Sequence, residues 1–182
     1  MEEKNWLEKF EVESCVGKNS GYYLGKWGEY RTQKVKGINF AAFFFSSQWL
    51  GYRKLYNLFI ISYMFAALVY ILTFGFFLLY EYGYIPFQIA PYPFYSFLGA
   101  KLLLGIYFSA FGNFEYRKKV LSWTQEYAKF DDRGKYINRL KNIGGTNTVL
   151  PLVSAFIDLL VLLSLYASMY EAMNYRVEFI NI

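Results

Sequence analysis

Two charged residues, Lys101 and Asp158, stand inside otherwise apolar stretches of this chain, and they are its clearest candidates for chemistry. An ion in hydrocarbon is costly, so such residues face a bundle interior, pair with each other or mark an ion path. Along helices rising about 1.5 Å per residue, Lys101 lies about 10 Å from the outer end of its stretch and Asp158 about 18 Å from the outer end of its own. The gap of about 7 Å in depth is within reach of a lysine stem. Three readings stay open. The two pair and fix one helix against the other; Asp158 is a proton or cation site; or Lys101 snorkels outward and Asp158 bonds Ser154 or tyrosine hydroxyls. Gly105 follows Lys101 by four and Ser154 precedes Asp158 by four, so small residues on those faces would let the two helices approach closely.

Little else in the sequence suits catalysis. The 182 residues include no histidine, which removes the commonest general base and metal ligand. The single cysteine, Cys15, makes no intramolecular disulfide and no thiolate cluster, and reads as a reduced bystander. Lys101 and Ser109 are eight apart, too far along one helix for a dyad. Neither a phosphate loop nor a dinucleotide fingerprint is present. The expectation is a non-enzymatic protein with no cofactor and no metal.

The elements that must position Lys101 and Asp158 are membrane spans. Hydrophobic residues make up 55% of the chain and aromatics 23%, a load suited to a bilayer and its interfaces. Asn57 to Tyr80 carries no charge, Phe94 to Gly112 is interrupted only by Lys101, and Val149 to Tyr170 only by Asp158. Each is long enough to cross the roughly 30 Å hydrocarbon core. Ile38 to Gly51, at about 21 Å as a helix, is too short. Its polar residues share no face, so it reads as a re-entrant or half-buried helix rather than a clean in-plane one. At its end Trp49, Tyr52, Arg53 and Lys54 read as a membrane-interface anchor, with the two cations at the phosphates.

Charge sets the expected orientation. Net charge is +5. Lys and Arg gather before the first span and between the second and third, and are nearly absent elsewhere. The positive-inside rule then predicts a cytoplasmic N-terminus, three spans and an extracytoplasmic C-terminus. If residues 38–51 crossed as well, the count would be four and the N-terminal cations would lie outside. The same flanking pattern argues against nucleic acid as a partner. The N-terminus opens with acids and has no apolar segment, so no signal peptide is expected.

Two helical stripes belong to the charged regions. Tyr23, Trp27 and Tyr30 recur on one face of a short helix, capped by Asn19 or Ser20, which suits the headgroup layer. Tyr116, Val120, Trp123, Tyr127 and Phe130 form one apolar stripe, so the second span is predicted to continue as an amphipathic helix. That stripe suits anionic lipid, a cytosolic partner or the N-terminal segment. Asp131 to Gly134 should break it, Tyr136 to Ile143 should add a turn or two, and Thr146 or Asn147 should cap the third span.

The run Asn39-Phe40-Ala41-Ala42-Phe43-Phe44-Phe45, then Trp49, then Tyr52-Arg53-Lys54-Leu55-Tyr56 resembles the signature of a bacterial membrane family catalogued as domain of unknown function 2628. Val16-Gly17-Lys18-Asn19 with Tyr22-Tyr23 and Lys26-Trp27, Asn113-Phe114-Glu115-Tyr116-Arg117, and Gly144-Gly145-Thr146 are similar to the family more loosely. Ser46-Ser47 departs from it, standing where the family carries Gly or Pro before the Trp. The resemblance implies a small helical membrane protein and no assigned activity.

The reading is therefore an all-α integral membrane protein of the bacterial cytoplasmic membrane. It comprises a cytoplasmic segment 1–37, an aromatic interfacial or re-entrant helix 38–56, a three-span bundle 57–170 with a basic loop 113–148, and an extracytoplasmic tail 171–182. The expected role is that of an accessory, scaffold or immunity-like protective subunit working through anionic lipid, a membrane-protein partner or a second copy. The alternative is a subunit of an oligomeric transporter or channel that uses Asp158 and Lys101.

Overall fold

The structure, a computed structural model, describes residues 7–27, 37–84, 92–128, 130 and 132–180, and only the backbone of residues 92, 93 and 172–180. Among the described residues every regular element is helical. α1 is Lys9–Val16, followed by a 3-10 turn Gly17–Asn19 and α2, Ser20–Trp27. Then come α3 (Phe40–Tyr52), α4 (Tyr56–Glu81), α5 (Tyr92–Tyr127), α6 (Arg133–Ile143) and α7 (Val149–Ile180). The stretches Tyr56–Glu81, Phe94–Tyr127 and Val149–Glu171 are long and apolar enough to cross a membrane. The chain is an all-α membrane protein.

α5 is one helix of 36 residues. At about 1.5 Å per residue it is about 54 Å long, well beyond the roughly 30 Å hydrocarbon core. The expected continuation of the second span into an amphipathic helix is therefore present, and residue 113 begins no loop. Asp132 then caps α6, its carboxylate accepting from the Gly134 and Lys135 N–H groups. Asn147 caps α7, its side-chain oxygen accepting from Val149 and Leu150 N–H at 3.1 Å each. α7 runs on to Ile180, so its helical backbone passes the boundary at 170/171 expected from composition.

α3 dips and returns. Its start is tied to α5: the Asn39 N–H donates to the Ser109 carbonyl at 2.9 Å. One turn later Phe43 lies against Gly105, so close that a Cβ there would be 2.5 Å from the Phe43 carbonyl oxygen. At Ser46 the helix breaks, with φ 29° and ψ −104°. Past the break Trp49 is back beside Gly112 and, at 6.4 Å between rings, beside Tyr116. Gly105 and Gly112 are about 10 Å apart along α5. Both ends of α3 thus meet the same level of α5 and its middle lies deeper, the geometry of a re-entrant hairpin. Irregular backbone at such depth is tolerated where protein surrounds it, and Ser46 and Ser47 are buried.

Beyond the spans α1, α2, α6 and the far half of α5 form a compact end bundle. Leu7, Val12, Cys15, Tyr23, Trp27, Tyr116, Val120, Trp123, Tyr136 and Leu140 share its core. Gly144 lies against the Cys15 backbone with no room for a Cβ, and the Gly145 N–H donates to the Cys15 carbonyl at 2.6 Å. Buried Glu11 pins α1 to α6, accepting from the Tyr136 hydroxyl at 2.7 Å. The expected short helix bearing Tyr23 and Trp27 forms, but it packs on protein, since Tyr23 and Trp27 are 1% and 3% exposed. Tyr30 lies outside the described residues.

Candidate functional site

The intramembrane charges meet. Lys101 Nζ donates to Asp158 Oδ2 at 2.5 Å. That oxygen also accepts from the Gln48 amide and, at 3.4 Å, from the Tyr63 hydroxyl. Lys101 Nζ stands 5.3 Å from the centre of the Tyr63 ring. One carboxylate oxygen therefore gathers donors from α3, α4 and α5 onto α7. The pair neutralises itself at a depth where a lone ion would be costly. The small-residue expectation is corrected in part. Gly105 opens α5 to the Phe43 carbonyl of α3 rather than to α7, because α3 wedges between them.

A second polar centre lies about 15 residues further along α5, roughly 22 Å away at helical rise. The re-entrant hairpin ends on Arg53, which is only 4% exposed. Its guanidinium carbon lies 4.7 Å from the Tyr23 ring centre, 5.0 Å from Tyr52 and 5.2 Å from Tyr116. Cation–π attraction of this kind contributes about 0.5–2 kcal/mol. Arg53 Nε and Nη1 are buried with no hydrogen-bond acceptor, and among the described residues no carboxylate pairs with Arg53. Beside it the Asn39 amide donates to Asn113 Oδ1 at 2.8 Å, and the Trp27 indole donates to the Asn113 carbonyl at 3.1 Å.

The interface-anchor expectation is thereby corrected for three residues. Arg53 and Trp49 are interior, at 4% and 5% exposure, because the hairpin folds back under the end bundle. Tyr52 is half-buried. Lys54 does not reach outward but caps α6, donating to the Ile143 and Gly144 carbonyls at 3.1 and 2.5 Å. A cation on unpaired helix-terminal carbonyls is favourable. Of the apolar stripe on α5, Tyr116, Val120 and Trp123 are buried by the end bundle. Tyr127 is half-buried and Phe130 is exposed. The N-terminal segment, one of the three expected occupants, meets that stripe at Tyr116 through Tyr23 and Trp27.

Cys15 is fully buried. Burial, and then the nearby Glu11 charge, push its thiol up to about 12. Burial likewise raises the Tyr23 phenol, against the opposing pull of Arg53. It raises that of Tyr136 as well, with the hydrogen bond to Glu11 adding to the effect. All three groups stay protonated and neutral at physiological pH.

The centre that the sequence left unsignalled is the Arg53 cage. Its signal was dispersed: Tyr23 and Trp27 at helical spacing, Tyr116 on the α5 stripe, and a basic residue closing the aromatic run. Fold and site together define an all-α integral membrane protein with a re-entrant helical hairpin. Comparison with known family models, curated proteins and solved structures finds no match to the chain.

Proposed function

We propose that the chain is a non-enzymatic membrane protein that works by contact, as an accessory, scaffold or protective subunit. The observation that carries this reading is the outward face of the spans. Only 17%, 28% and 11% of the residues in their most apolar windows are buried. The hairpin and the Asp158 cluster join the helices, and most of the apolar surface remains free for lipid or for another membrane protein. The end bundle also buries Cys15 fully.

The resemblance to domain of unknown function 2628, and with it a bacterial source, belongs to this proposal. Its support is spatial. Residues from separate stretches that carry the likeness adjoin one another: Asn39 with Asn113, and Tyr23 and Tyr116 with Arg53. The proposed orientation, N-terminus on the cytoplasmic side of a bacterial cytoplasmic membrane, rests on the charge count. It agrees with the docking of α1 and α2 beside basic α6.

Affinity purification from membranes in mild detergent, with blue-native mass and identification of what co-purifies, tests the contact reading. A stoichiometric lipid or membrane-protein companion supports it. A second reading, a transporter or channel subunit, is favoured by one observation: the broken helix α3 sets Gln48 beside a buried ion pair. Solute or ion flux in liposomes that disappears in Asp158→Asn would favour it and overturn the contact reading.

A further inference from the structure

We infer that the cavity beside Arg53 is a binding site for an anionic phospholipid. The cavity measures about 630 Å³, within the range of roughly 300–1,000 Å³ usual for ligand sites. Among the described residues Arg53 is the sole charged group lining it. Two of its guanidinium nitrogens are buried without an acceptor. Three tyrosine faces hold the guanidinium in place. An arginine that is desolvated, held among tyrosines and, among the described residues, without a carboxylate partner suits an anionic oxygen, above all a phosphate.

The rest of the wall shows that the anion carries a tail. Asn19 and Tyr22 line it from the end bundle and Asn39 from the start of α3, while Phe45, Leu152 and Ala155 line it from α3 and α7. Phe45 and Leu152 are 61% and 71% exposed and belong to re-entrant helix α3 and span α7, so this end of the cavity opens on the face that meets acyl chains. A soluble anion would gain nothing there, whereas a lipid places its phosphate on Arg53 and a chain along Phe45 and Leu152. The ligand class is thus an anionic phospholipid.

This inference sharpens the contact reading to one site and one ligand, and its test is independent of any protein partner. Full-length protein in a neutral maltoside detergent is titrated with dioleoyl phosphatidylglycerol, dioleoyl phosphatidylcholine and glycerol 3-phosphate. Native mass spectrometry counts bound molecules and reports occupancy. One phosphatidylglycerol should be retained, with phosphatidylcholine about tenfold weaker and glycerol 3-phosphate not held. Arg53→Gln should weaken phosphatidylglycerol about tenfold, and Arg53→Lys should restore part of the loss. Leu152→Trp, which fills the mouth from an exposed position and leaves Arg53 untouched, should also weaken it, so the question is decided even where Arg53→Gln fails to fold. Equal retention of the two lipids, or full binding by Leu152→Trp, overturns the inference. Tight binding of glycerol 3-phosphate would reassign the site to a soluble phosphate. Flux through Asp158 would defeat the contact reading and leave this result standing.

Discussion

Gly105 and the carbonyl of Phe43 face each other with no space for a side chain between them. The contact lets the descending limb of the hairpin lie directly on α5. Gly105→Val would push against backbone rather than a flexible side chain, so the hairpin must move as a unit. The expected cost is about 2 kcal/mol or more, read as a lowered melting temperature in detergent. An unchanged melt would show that α3 does not sit there.

Ser46 holds a positive φ without being glycine. Such strain costs on the order of 1–3 kcal/mol. Ser46→Gly should therefore stabilise the protein by about 1 kcal/mol even though it removes a side chain, and Ser46→Ala should not. Paired thermal melts of the two variants decide it.

The Lys101–Asp158 pair calls for a double-mutant cycle. Lys101→Met or Asp158→Leu alone leaves a buried charge without its partner and should cost about 3–5 kcal/mol. The double variant should recover most of that loss. Recovery would be incomplete, because Gln48 and Tyr63 also lose their acceptor. Additive losses in chemical unfolding would mean the pair is not coupled.

Alkaline pH should loosen the end bundle. The Cys15 thiol rises from its ordinary 9.0 to about 12 in the fold. The folded state therefore holds its proton more tightly than the unfolded one, and the stabilisation is complete below pH 9.0 and lost as pH rises toward about 12. Tyr23 and Tyr136 are raised from 10.0 and add to the fall above that point. The melting temperature should drop across this window, and Cys15→Ala should make the drop shallower. Maleimide should label Cys15 only after unfolding.

Periodicity and charge made the skeleton legible. Apolar length marked the three spans, the 4-3-4-3 spacing from Tyr116 marked the extension of α5, and the cost of buried ions made pairing of Lys101 with Asp158 one of three readings. Length also excluded a crossing by residues 38–51. Sidedness within the end bundle was not legible. An aromatic stripe facing headgroups and one facing protein have the same spacing, so Tyr23, Trp27 and Trp49 read as interfacial when they are interior. Arg53 misled for a related reason: a basic residue after an apolar run normally meets phosphate in open solvent, and only the return of the hairpin turns it inward. Helix α1 escaped notice because its inward residues include Glu11, whose hydrogen bond to Tyr136 joins positions 125 residues apart.

The convergence on Asp158 orders the birth of the molecule. Its carboxylate completes bonds to Gln48, 110 residues earlier, and to Lys101, 57 residues earlier. During synthesis the hairpin and the second span enter the membrane before that acceptor exists. Lys101 is then an uncompensated cation, and Gln48 has no carboxylate to hold it. Only the arrival of α7 satisfies both, so the last span acts as the closing key of the bundle.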